Sequence, residues 1–225
     1  MTETATFVKD TATVRNGVDT ITMFATLDAI KAQPEIARFQ FRARNRWLSG
    51  AYNRSTIKDF YAACGEDTTR TEAFTLDAGE PAILLGTDTG PNPAEYLLHA
   101  LAACVTTSLV YSAAARGVRL TSVESTLEGD LDVQGALGIN TEDYRNGYEQ
   151  IRMTIRISGD APAEKLRVVS VPQAAMTSTA IGTPLAMESK TTERSVPRCT
   201  TWRSFSTGAS PEMRMVIRIC SYPLR

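Results

Sequence analysis

The sequence has one histidine, His99, in 225 residues. A Ser-His-Asp triad or an imidazole-based metal site would rest on that single ring, which argues against both. Cysteine is sparse too. Cys64, Cys104, Cys199 and Cys220 lie far apart, with no C-x-x-C and no Cys/His pair at ligand spacing, so no metal centre is expected. There is no excess of either charge. The 24 Lys and Arg against 25 Asp and Glu leave a net charge of -1, so neither nucleic acid nor a membrane is expected as partner. The opening MTETATFVKD has no basic stretch followed by an apolar run. No secretory signal is read there, and a reducing, cytoplasmic setting is the expectation.

What is present is the composition of a soluble protein, with 43% hydrophobic and 22% charged residues. The length suffices for one large domain or two small ones. In GVDTITMFATLDAIKAQPE the apolar Ile21, Phe24, Leu27 and Ile30 recur at spacing three, which predicts a helix ending before Pro34. The stretch after it turns β-like. FQFRARNRW alternates apolar and polar residues, and STIKDFYA, EAFTLD and AILLG continue as predicted strands.

The central stretch from Asn92 to Gly117 is read as a helix. Asn92 is a good N-cap, Pro93 suits the first turn, Glu95 sits where it reaches back to the cap, and Gly117 is a natural stop. A run of this length would cross a bilayer. His99, the polar Thr106-Thr107-Ser108 and the many alanines favour instead a helix packed closely inside a protein. Beyond it, RLTSVESTLEGDLDV and EQIRMTIRISG alternate as two antiparallel strands joined by the loop QGALGINTEDYRNGY. APAEKLR opens like another helix. From about Val168 Ser, Thr, Pro and Arg dominate without a period, which predicts disorder.

The stretch TGPNPAEYLLHALAACVTTSLVYSAAARGV resembles the signature of the OsmC-like proteins, which include the organic hydroperoxide resistance proteins. The elements are an N-P turn, a helix with an A-A-C triplet, and A-x-x-x-G-V leading into a strand. EAFTLD and LLGTD before it and LEGDLDVQGALGI after it fit as well. The resemblance covers roughly residues 36–167, with 1–35 as a helical extension and 168–225 as an aberrant tail. It implies an α+β fold in which antiparallel sheets enclose a long central helix, in an intertwined homodimer. It implies a thiol-dependent peroxidase of oxidative stress defence that reduces organic hydroperoxides and needs no cofactor. One helix cysteine becomes a sulfenic acid, a second at the start of the next helix closes a disulfide, and a lipoyl or small-thiol reductant restores both.

Cys104 is the implied attacking thiol. The thiolate is the nucleophile, and burial among apolar groups raises a thiol's pKa. Cys104 lies about three turns into the helix, beyond the reach of the N-terminal dipole. A cation must therefore come from elsewhere. The resemblance implies an arginine from the loop after the first strand; Arg54 is the first candidate and Arg46 the second. It also implies a glutamate near the helix start that holds this arginine. Glu95 is the candidate, although Ala94 follows the N-P pair where familiar members have the glutamate, and one residue turns a side chain by about 100°. Glu95 is equally suited to capping alone. His99, five residues before Cys104, lies on a different helix face and is expected to be packed and hydrogen-bonded, and Cys64 to be a plain strand-end residue.

No cysteine occurs between Cys104 and Cys199, so the implied resolving cysteine is missing. A shifted reading frame offers one account of the tail. Read back by one nucleotide, codons compatible with SVPRCTTW allow R-S-P-V-Y-D-M, which resembles the second-helix segment of this family branch. Resequencing the gene tests this, and a clean read with no alternative open frame sinks it. The chain as printed is then expected to lack the second core helix and the last strand and to be poorly soluble. Two other readings stand beside the peroxidase: a non-catalytic module of the same fold binding a hydrophobic small molecule, and a Cys104 that is only a small buried hydrophobe.

Overall fold

Asn16 and Gly17, at φ 52° and 78°, make the two-residue turn between β1 (Val14–Arg15) and β2 (Val18–Asp19). Positive φ at both positions matches the twist of a tight hairpin, and asparagine tolerates it well. In the computed structural model, which describes residues 14–139, 142–144, 146–166 and 169 and the backbone of 204–206 and 212–220, helix α1 (Thr20–Ala32) follows directly. It ends before Pro34, as its spacing predicts.

The chain divides into two compact units. One is Ile21–Leu97; the other joins the residues up to Thr20 to those from Leu98 onward. In the first, β3 (Arg44–Ser49) pairs with β4 (Tyr52–Ile57), and β4 with β7 (Phe74–Ala78), as an antiparallel sheet in the order β3-β4-β7. Between them β5 (Phe60–Ala62) and β6 (Gly65–Asp67) form a separate hairpin. Two predicted strands differ. The Phe39–Arg42 part of FQFRARNRW contributes one isolated bridge, Gln40 to Tyr61, before β3 begins. AILLG is a 3-10 turn at Ala82–Leu84, not a strand. It follows Pro81 and ends at Leu85, whose φ of 62° bends the chain away from any ladder.

Helix α2 (Pro93–Ala115) begins and ends where its capping residues predict. The backbone N–H of Asn92 donates to Glu95 Oε2 at 2.8 Å, and Asn92 Oδ1 accepts from the Ala94 N–H at 2.7 Å. Gly117, at φ 70°, turns the chain out of the helix. In the second unit β8 (Leu120–Leu131), the short helix α3 (Val133–Leu137) and β9 (Tyr148–Gly159) follow. The helix lies in what was expected to be plain loop. Asp132 caps it by accepting from the Gln134 N–H, and Gly138 at φ 69° ends it.

Every second residue of β9 faces inward, so Ile151, Met153, Ile155 and Ile157 are buried. They form one core with Leu101, Val105, Leu109 and Ala113 of α2, closed by Val118, Ala161, Leu166 and Val169. Residues 163–166 are helical, as APAEKLR predicts. The expected loss of the last strand is corrected by the structure. Inside 168–225, β10 (Ser204–Ser206) and β11 (Glu212–Cys220) form strands, and β11 runs antiparallel along β9 from Glu212 opposite Ser158 to Cys220 opposite Gln150. EMRMVIRIC alternates Met213, Met215, Ile217 and Ile219 with polar or smaller residues, a pattern diluted when the tail is read by composition. Cys199 lies outside the described residues.

The β1–β2 hairpin is tied to the end of α2. Arg15 Nη1 donates to the Ala114 carbonyl at 3.4 Å. Asn16 Nδ2 donates to the Val118 carbonyl and its Oδ1 accepts from the Leu120 N–H, both at 2.9 Å, so one side-chain amide pairs like a strand. Asn16→Ala is expected to lower unfolding free energy by about 2 kcal/mol, for two lost bonds and an unfavourable φ. Asn16→Gly should lose less, because glycine restores the φ but not the bonds. Denaturant titration of the two variants reads the difference.

Candidate functional site

Arg54 and Asp77 stand directly opposite each other on β4 and β7. The register makes a two-point contact: Arg54 Nε donates to Asp77 Oδ1 at 2.5 Å and Nη2 to Oδ2 at 2.9 Å. Nη2 also donates to Tyr52 Oη at 2.8 Å. One edge of the guanidinium is thereby occupied, and Nη1 has no partner among the described residues. The hydrogen bond from Arg54 holds the Asp77 carboxyl below the ordinary aspartate range, and the same bond raises Arg54. The clamp therefore persists through neutral pH and is lost only as the pH falls through the lowered value of Asp77. Both partners are partly exposed, so the pair adds little stability and serves mainly to orient.

The loop behind Asp77 is fixed. Tyr96 Oη donates to the Asp77 carbonyl at 2.6 Å, and Asn92 Nδ2 donates to Glu80. A Cβ on Gly90 would run into the Asp77 carbonyl, so only glycine lets the two backbones approach this closely.

Glu95 is taken up by the Asn92 cap, and no bond joins it to Arg54 among the described residues. Arg46 sits opposite Arg54 on β3. Cys104 belongs to the other unit and is an exposed free thiol on α2. His99 is exposed, not packed as expected, because it lies off the α2 face that carries Leu101, Val105 and Leu109. Cys64 is exposed in the β5–β6 turn, where it and Ala63 take φ of 65° and 47°. Asp77 and Tyr52 escaped the sequence reading. Their signal is the alternation of EAFTLD and of YNRST, but the register that brings them to Arg54 is set by pairing across more than 20 residues.

Residues 86–176 match the family model of the OsmC-like proteins. The chain carries an OsmC-like domain. The match begins at Gly86, spans all of α2 with Cys104, and continues through β8 and β9. The OsmC-like architecture is accordingly α+β, with antiparallel sheets and a long central helix. No curated protein matches the chain.

Proposed function

We propose that the OsmC-like chain is a cytoplasmic, thiol-dependent peroxidase that reduces organic hydroperoxides through Cys104. The observation that carries this reading is an exposed, free Cys104 inside the family-matched helix. The Cys104 thiolate attacks one peroxide oxygen, the O–O bond breaks, and the alkoxide leaves and takes up a proton as the alcohol. Sulfur is oxidised to the sulfenic acid and the peroxide is reduced. A small thiol then displaces water to form a mixed disulfide, and a second thiol releases Cys104 with formation of the reductant's disulfide. The family resemblance implies an arginine that favours the thiolate, and Arg54 is the candidate, since arginine stays charged at any working pH. In this reading Asp77 holds that arginine in place of Glu95, and no second protein cysteine is needed.

The working form is a homodimer. Leu97, Ala100, Thr107 and Tyr111 are exposed on α2 at spacings of three, seven and four. Such a stripe on a helix whose opposite side is core supports a second helix packing there, and its small residues favour close approach.

Intact-mass spectrometry after one equivalent of cumene hydroperoxide, with a sulfenic-acid trap present, tests the reaction. One trap adduct at Cys104 is expected. Folded protein without an adduct overturns the peroxidase reading. It favours the non-catalytic module binding a hydrophobic small molecule, which the lack of any cysteine between Cys104 and Cys199 supports.

A further inference from the structure

The sheet face that carries Arg54 carries two more arginines. The register sets Arg44 opposite Thr56, Arg46 opposite Arg54, and Arg54 opposite Asp77. Residues directly opposite share a face, and alternation along each strand keeps Arg44, Arg46, Tyr52, Arg54, Thr56, Thr75 and Asp77 together. The other face, with Asn45, Trp47, Asn53, Ser55 and Leu76, has no charged residue on these strands.

Like charges set opposite each other in a sheet repel. Asp77 offsets Arg54 alone. Arg44 and Arg46 are exposed and have no hydrogen bond or ion pair among the described residues. Three guanidinium groups against one carboxylate leave two positive charges. Cross-strand neighbours here stand about 5 Å apart and alternate residues along β3 about 7 Å apart, so the excess is local. Arg54 still offers both Nη1 hydrogens, and three hydroxyls share the face.

We propose that this face is a binding site for a phosphate monoester. Such a group carries roughly -1.5 to -2 at neutral pH, which matches the excess charge. Its three terminal oxygens accept from several guanidinium forks at once. A carboxylate or sulfate ester brings one charge and leaves the second arginine unanswered. The site shares Arg54 with the proposed reaction, but its binding is read without any turnover at Cys104.

The test is calorimetric titration of the full chain with phenyl phosphate, against phenyl sulfate at matched ionic strength. Saturable phosphate binding is expected, with the sulfate about tenfold weaker. The double variant Arg44→Gln/Arg46→Gln should lose binding, and Asp77→Asn, which removes the one opposing charge, should tighten it severalfold. Circular dichroism checks that the double variant folds. Should it not fold, Arg46→Gln alone must weaken binding about tenfold. Absence of saturation, equal affinity for the two esters, or full affinity in the folded double variant overturns the site.

Discussion

Cys104→Ser is expected to fold and melt like the parent chain and to reduce no organic hydroperoxide. The side chain is exposed, so exchanging sulfur for oxygen opens no cavity and strands no buried group. The chemistry is another matter. A serine hydroxyl is not ionised near neutral pH, whereas a cation beside a thiol draws it toward the thiolate that attacks the peroxide. A loss on the order of a thousandfold or more in kcat/KM is expected, as when other enzymes lose their nucleophile. Arg54→Ala should retain activity but lower kcat/KM by about tenfold, because the attacking sulfur loses its cation. Peroxide turnover by Cys104→Ser at the parent rate would end the peroxidase reading. An unchanged kcat/KM in Arg54→Ala would leave the thiol and remove its arginine.

What could be read in advance followed the range of the forces involved. Capping of α2 is local: Asn92, Pro93, Glu95 and Gly117 announce it within a few residues of where they act, and both helix ends fall there. The β8–β9 alternation is equally local. AILLG has strand-like composition, yet the turn started by Pro81 and the positive φ at Leu85 override it. Asp77 came to Arg54 through register, which depends on pairing partners far along the chain and on which face each strand buries. The three-arginine face has the same origin. FQFRARNRW displays the alternation, but only the pairing of β3 with β4 sets Arg46 against Arg54 and makes the charge an excess. The fate of Glu95 was open for a different reason. A carboxylate three residues after an N-cap is equally suited to the cap and to a cation, and the bond to the Asn92 N–H satisfies a donor that the helix leaves unpaired.

Leu109→Ala separates folding from assembly on α2. Leu109 is fully buried and packs in the cluster with Met153, Ile155 and Ile157 of β9. Removing its isobutyl group loses transfer free energy and leaves a cavity that a strand on one side and a helix on the other cannot close. A loss of about 3 kcal/mol in unfolding free energy is expected. A change below about 1 kcal/mol would mean the core does not close around this helix. Two residues on, Tyr111 is 53% exposed on the opposite stripe. Tyr111→Ala removes little from the core of one chain, so intrinsic stability should change by no more than about 0.5 kcal/mol. In a dimer built on that stripe the same ring becomes a buried anchor, and its loss weakens self-association at least tenfold. Sedimentation over a range of protein concentrations distinguishes the two variants. Leu109→Ala should lower stability at every concentration, whereas Tyr111→Ala should shift the monomer–dimer midpoint. A parent chain that stays monomeric at high concentration would remove the dimer. The exposed row of Leu97, Ala100, Thr107 and Tyr111 would then be a surface of the single chain.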